Sequence, residues 1–291
     1  MRKQYDINKV MKTPKRNNNK ICVFYHYFEA NIIYLENLNY FLNNAYLEEL
    51  DFHICISGKC SAELIIKKNI TYHYVENKNN DYGAYCDVLP KVFIRGVYEA
   101  YLFINCSTRG PFFTPSDESK WYQPFVKLLN NEIQLSGGSI NMLSPKSKFV
   151  KDLPKITGAY SHVQTSAYCL ASNAVEFLLS DGFYNISRRL SKSEVITYYE
   201  IGLSRRIIQN DWNISCLLKK YQGLDFRQNP EDINPTSWGG DPLYKNAYFG
   251  TTVNSEEIIF VKTHKRRKLI KIKSYYHFFS MLEKLFKARI N

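Results

Sequence analysis

Three polar patches in the sequence have the residue types of a ligand-binding crevice. Tyr25-His26-Tyr27-Phe28-Glu29 closes one apolar run, and Asn77-Lys78-Asn79-Asn80-Asp81-Tyr82-Gly83 follows another. Asn105-Cys106-Ser107-Thr108-Arg109-Gly110 ends the run Tyr101-Leu102-Phe103-Ile104. Tyr25 and Tyr82 can stack on a base, and Asp81 can accept hydrogen bonds from ribose or sugar hydroxyls. Arg109 can neutralise a diphosphate, since a guanidinium fits phosphate oxygens two at a time. The third patch has no carboxylate, no histidine and no glycine-rich phosphate loop. The second patch has a plainer reading as a helix cap and turn, and both readings stand at this level.

Bringing the patches together requires a sheet. "KICVFYHYFE" (20–29), "DFHICISGK" (51–59), "TYHYVENKNN" (71–80) and "AYLFINCS" (100–107) read as strands, and "NIIYLENLNYFLNNAYL" (31–47) reads as a helix. "DYGAYCDVLPKVF" (81–93) opens a second helix. Strands alternating with helices at this spacing predict a mainly parallel α/β sheet whose carboxyl ends converge on one crevice. Further on, "EIQLSGGSINML" (132–143) reads as a strand broken at Gly137-Gly138, and "HVQTSAYCLASNAVEFLL" (162–179) as a strand turning into a helix. "EIGLSRRIIQNDWNISCLL" (200–218) reads as a helix with Glu200 at its start, where the helix dipole favours any carboxylate. "SEEIIFVKT" (255–263) reads as a late strand. One α/β domain over 20–263 is expected, between a basic segment 1–19 and a basic tail 264–291.

The chain has 291 residues, 45% hydrophobic and 15% aromatic, enough for a full core. Its formal charge of +12 sits at the ends: residues 1–20 carry +6 and residues 262–291 carry +9, leaving the body at −3. An acidic body argues against a nucleic-acid groove. The seven cysteines are scattered without a C-x-x-C pair, as expected of reduced, buried thiols. No apolar run approaches the ~20 residues needed to span a bilayer, and the amino terminus lacks the apolar core of a secretory signal, so a cytoplasmic protein is expected. In the tail, Tyr275, Tyr276, Phe278, Phe279, Leu282, Leu285 and Phe286 share a broad face among lysines and arginines. That pattern suits an interfacial helix on anionic lipid or a helix packed on the domain.

No Walker A, H-E-x-x-H, G-x-S-x-G or G-x-G-x-x-G pattern occurs. In order along the chain, "NKNNDYGAYCDVL", "YLFINCSTRGPF" followed by Trp121, "LSGGSINML", "HVQTSAYCLAS" and "YEIGLSRRIIQNDWNI" nevertheless carry a likeness. Over about residues 20–265 the chain resembles GT-A-fold nucleotide-sugar glycosyltransferases, most of all bacterial polysaccharide transferases of the rhamnan-synthesis and galactofuranosyl-transfer group. The resemblance implies transfer of a hexose, galactofuranose among the candidates, from a UDP-linked donor to a capsule or lipopolysaccharide glycan. The acceptor would be an oligosaccharide or a lipid-linked glycan at the inner face of the bacterial plasma membrane. It puts Glu200 in the place of the acceptor base of inverting transfer, with Ile201 where a second acid is usual. It puts Tyr25, Asn80, Asp81, Tyr82, Gly83, Asn105, Ser107 and Arg109 on the donor side, and His162, Gln164, Trp238 and Asp241 on the acceptor side.

Most such enzymes hold a metal with a D-x-D motif where this chain has Asn105-Cys106-Ser107. Neutral donors hold Mg²⁺ or Mn²⁺ poorly. The expectation is therefore metal independence, with Arg109, Lys78, Lys245 or His162 neutralising the diphosphate. The alternative is an acid brought in from Asp81 or Asp241. A noncatalytic carbohydrate-binding protein, or another Rossmann-like transferase such as a methyltransferase, is the rival class.

Overall fold

The computed structural model describes residues 20–114, 119–144, 147, 149, 160–228 and 233–263. The basic segment 1–19 and the tail 264–291 lie outside the described residues. The apolar runs fold as strands β1 (Lys20–Phe28), β2 (Leu50–Ser57), β3 (Ile70–Val75) and β4 (Tyr98–Asn105), with α1 (Ile32–Asn44) and α2 (Asn80–Val92) between them. A two-residue strand β5 (Thr108–Arg109), helix α3 (Gln123–Lys127) and strands β6 (Ile133–Gly137), β7 (Ile140–Met142), β8 (Ser161–Val163) and β9 (Ala167–Ala171) follow. Helix α4 (Ser172–Ser180) continues directly from β9. One long helix is built of α5 (Lys192–Val195), a π turn (Ile196–Ile201) and α6 (Gly202–Gln209). Strand β10 (Asn213–Cys216), the single turn α7 (Ser255–Ile258) and β11 (Val261–Lys262) complete the described chain.

The central sheet has seven strands in the order β10-β6-β9-β4-β1-β2-β3. Every neighbouring pair is parallel except those made by β9, which runs antiparallel to both β4 and β6. The expected mixed, mainly parallel α/β architecture is thus what the chain adopts. Central strands of such a sheet are covered on both faces, which is why β1 is buried from Ile21 to Tyr27. Alternate residues feed two cores. Cys22, Phe24, Tyr101 and Phe103 face α2, α4 and α6, while Val23, Tyr25, Leu102 and Ile104 face α1 and α3. On the first face Phe24 stacks on Phe103 with centroids 5.2 Å apart, and Phe103 stacks on Tyr168 at 4.9 Å. These rings tie β1, β4 and β9 together where the antiparallel strand joins the parallel ones.

Two elements differ from expectation. The helix expected to start at Glu200 starts after Ser191, whose hydroxyl accepts from the Glu194 amide while Glu194 bonds back to the Ser191 amide. That capping box outweighs the charge pattern as a start signal. The same helix ends at Gln209, and Asp211, with φ at +61°, turns the chain into β10 rather than extending it to residue 218. The second difference is in "SEEIIFVKT", where Asn254 caps a helical turn and only Val261–Lys262 pair as strand.

The turn before α2 is tight. Asn79 and Asn80 both take left-handed backbone (φ 54° and 53°), which asparagine tolerates better than most residues. Asn79 makes no cap to α2. Instead its side chain accepts from the Leu190 amide at 2.7 Å and donates to the Arg188 carbonyl at 2.9 Å, clipping α2 to the chain that enters α5. Gly83 is required here by space, because a Cβ on it would stand 2.0 Å from the Lys78 carbonyl oxygen. A Gly83→Ala variant is expected to lose on the order of 2–3 kcal/mol of stability in chemical denaturation, since backbone rather than a flexible side chain must give way.

Candidate active site

The parallel strands end on one edge of the sheet, and the Asn105 side chain sits at the tip of β4. Its Nδ2 donates to Asp81 Oδ2 at 3.0 Å. Its Oδ1 accepts from Ser107 Oγ at 2.6 Å and from the Ser107 amide at 3.2 Å. Its own amide donates to the Ser166 carbonyl at 3.1 Å, on the turn between β8 and β9. The strand tip thus gains its carboxylate from the first turn of α2, and the neutral residue at 105 has a reason. An amide both gives a proton to Asp81 and accepts from Ser107, whereas a carboxylate there would face Asp81 as a second buried negative charge.

Burial, and after it the charge of Glu200, push the Asp81 carboxyl up to about 6, against the pull of the Asn105 hydrogen bond and the Lys262 charge. Glu200, half-buried on the π turn, is therefore within electrostatic reach of Asp81. Far from the helix start, it receives nothing from the helix terminus, so the ordinary explanation for an acid at a first turn does not apply. The π turn is held against α2 by rings. Tyr199 lies 5.3 Å from Tyr82 and 5.1 Å from Phe183, centroid to centroid. Single π turns are uncommon, and they occur most where a helix must re-aim a side chain at a working site.

A second group lies beside the first. Gln164 Nε2 donates to Asn141 Oδ1 at 2.6 Å and to Asp241 Oδ1 at 2.9 Å, and Asp241 Oδ1 also accepts from the Leu243 amide. Gln164 Oε1 is buried and meets no donor among the described residues. His162, on β8, is held neutral, because burial and the Lys262 charge draw its imidazole down to about 4 against a weak bond to the Tyr160 carbonyl. The turn Trp238-Gly239-Gly240-Asp241 presses on β7, with Gly240 at φ +86° and its amide plane so close to Met142 that no Cβ fits. Trp238 projects outward, 67% exposed, against Tyr244 at 4.6 Å. Asp81, Asn105, Ser107 and Glu200 therefore form one group, and His162, Gln164 and Asp241 another, with Trp238 at its outer rim.

Other expected residues go elsewhere. Tyr25 is fully buried, stacked on Phe41 at 4.2 Å, and Tyr82 is buried between α2 and the π turn, so neither ring is open to a base. Both fall on inward-facing positions that a count of aromatic residues does not separate from open ones. Asn80 is exposed and Gly83 serves the turn described above. Arg109 is corrected most sharply. Buried, it donates from Nε to Asn37 Oδ1 at 2.9 Å and from Nη2 to Glu36 Oε2 at 2.7 Å, because β5 turns it onto α1. Lys78 is paired with Glu76 and Asp87, and Lys245 is exposed.

Lys262 was not among the expected site residues. It reaches the site because β11 pairs antiparallel with β5, placing Lys262 opposite Thr108. No local signal marks that contact, whose partner lies 154 residues earlier in the chain. As a metal site the arrangement fits poorly. Asn105 and Ser107 are neutral and bonded to each other, and no group of three His, Cys, Asp or Glu side chains that could hold an ion gathers among the described residues.

No family model matches the chain, and no curated protein matches it. Solved structures do. One is the mannosyltransferase PcManGT from Pyrobaculum calidifontis in complex with GDP-Man and Mn²⁺, with 8% identity and a TM-score of 0.40 over 67% of this chain and 53% of that one. Another is a glycosyltransferase involved in the glycosylation of the major capsid of PBCV-1, with 14% identity and a TM-score of 0.37 over 67% of this chain and 80% of that one. The chain thus spans about half the length of the first.

The raised Asp81 pKa makes a stability prediction. An acid whose pKa rises on folding is a burden once ionised, so the cost is absent below the unfolded value, near 3.8, and complete above about 6. Asp81→Asn is expected to stabilise the fold at pH 8 by on the order of 2–3 kcal/mol. The gain should vanish as pH falls through that window, as read by chemical denaturation at both ends.

Proposed function

We propose that the chain is a glycosyltransferase that moves a hexose from a nucleoside-diphosphate sugar to a glycan hydroxyl. The observation that carries this reading is that Glu200, on a π turn, acts electrostatically on Asp81, which is bonded to Asn105 at the carboxyl end of a mainly parallel sheet. Such edges are where α/β sheets bind nucleotides. The resemblance of the sequence to bacterial polysaccharide transferases supports the same class.

Glu200 is the base. An acceptor hydroxyl gives its proton to the Glu200 carboxylate as its oxygen bonds to the anomeric carbon. The bond from that carbon to the diphosphate breaks on the opposite face, so the configuration inverts. Asp81, Asn105 and Ser107 lie on the donor side and take hydroxyl groups of the sugar or ribose. His162, Gln164 and Asp241 line the acceptor side, where Gln164 Oε1, which meets no donor among the described residues, can accept from a sugar hydroxyl and a neutral His162 can donate or accept. Trp238 offers an exposed ring to a further sugar.

The finer reading is a UDP-linked donor and an oligosaccharide or lipid-linked acceptor in capsule or lipopolysaccharide assembly. Within it, residues 20–263 form the catalytic domain. The cationic, aromatic tail 264–291 would hold the enzyme at the inner face of the plasma membrane. Transfer runs without a divalent metal, since the neutral, mutually bonded Asn105 and Ser107 suit one poorly.

Two measurements test this. With UDP-sugars and a glycan acceptor, Glu200→Gln is expected to lower kcat about 10²- to 10⁴-fold while UDP binding in calorimetry is kept or tightened. A variant with near-normal turnover would end the role of Glu200, and a wild-type chain that binds glycan but no nucleotide would be a carbohydrate-binding protein. Activity is expected to persist after EDTA treatment, and loss restored by Mn²⁺ would overturn the metal-free reading.

A further inference from the structure

Lys262 is a cation held at the site by backbone and claimed by no described carboxylate. Its neighbours Val261 and Thr263 are buried at 1% and 3% exposure, while Lys262 itself is half-buried. The Thr263 amide and hydroxyl each donate to the Ser107 carbonyl at 3.1 Å. Asn37 Nδ2 donates to the Cys106 carbonyl at 2.8 Å and reaches Thr263 Oγ1 at 3.5 Å. This clip fixes the Lys262 backbone against the loop that follows the tip of β4. Its backbone lies opposite Thr108, next to the Ser107 turn, and its charge acts on Asp81, from α2, and on His162, from β8. No ion pair joins it to a described residue, whereas Arg109 and Lys78 are each paired with glutamate or aspartate.

Asp81 and Glu200 bring negative charge to the site, and a diphosphate beside them would be repelled without a cation close by. We propose that Lys262 binds the diphosphate of the nucleotide sugar and offsets the charge left on it as the sugar departs. The inference rests on the glycosyltransferase reading and adds to it the residue that recognises the phosphates. As the bond between the anomeric carbon and the β-phosphate oxygen breaks, its electron pair stays on that oxygen. The acceptor oxygen forms the new bond and its proton passes to Glu200. Lys262 keeps its protons and contributes charge and hydrogen bonds only.

Calorimetry on the full chain tests this with two probes, UDP and uridine, which share a base and ribose and differ in the diphosphate. The wild type is expected to bind UDP more tightly than uridine, with an affinity that falls as salt rises. Lys262→Met should bind UDP about 10- to 100-fold more weakly, with uridine unchanged, and Lys262→Arg should restore most of the UDP affinity. Unchanged melting temperature and circular dichroism would separate this from misfolding. If Lys262→Met binds UDP as the wild type does, or loses UDP and uridine equally, the assignment to the diphosphate is wrong while the transferase reading stands. If the wild type binds neither UDP nor GDP, the transferase reading fails and the inference falls with it.

Discussion

The candidate site depends on one buried carboxylate being tolerated. Asp81 stands on the first turn of α2 with almost no water around it, and only the Asn105 amide makes a direct side-chain hydrogen bond to it among those described. Burial of this carboxylate, with the Glu200 charge acting on it, is costly enough to push it up to about 6. Asn105 is thereby constrained to be a donor toward Asp81, and its other end is left to order Ser107. Ser107 in turn offers its carbonyl to Thr263, and through that bond the late strand β11 joins the tip of β4. A single polar chain therefore runs from α2 across the strand tip to the end of the described fold.

The scaffold under this chain is aromatic. Phe24, Phe103 and Tyr168 stack across three strands, and Tyr82, Phe183 and Tyr199 press the π turn onto α2. Large planar rings bury much area with few rotatable bonds, so they hold neighbouring elements at fixed separations. Phe183 and Tyr199 close Tyr82 to a ligand, and on the other face of the sheet Phe41 covers Tyr25. What remains open at the sheet edge is small and polar, apart from the exposed Trp238.

Charge is arranged with equal economy. Arg109 is buried with Glu36 and Asn37, where it ties the β5 segment to α1. With Arg109 turned onto α1, the cation whose charge acts on both Asp81 and His162 is Lys262. His162, kept neutral by burial, serves hydrogen bonding and adds no charge.

By itself, the sequence determined the strands of the first hundred residues, the helices between them and the mainly parallel sheet, because period and apolar runs are local properties. Strand-end position also marked Asp81, Asn105 and Ser107, since polar residues there converge in a sheet of this kind, while Glu200, Gln164 and Asp241 were marked through the resemblance to glycosyltransferases. Tyr25, Tyr82 and Arg109 were marked with them, and sequence could not separate the two sets, because which way a side chain faces depends on the element packed against it. The start of the helix bearing Glu200 was legible in Ser191-x-x-Glu194, but the π turn inside it was not. That turn carries Tyr199, which packs on Tyr82 from a distant part of the chain. Only the tertiary structure decided that Asp81 bonds to the strand tip and that Lys262 pairs beside the turn that follows it. Both are meetings of residues far apart in the chain, set by hydrogen bonds that exist only once the sheet has closed.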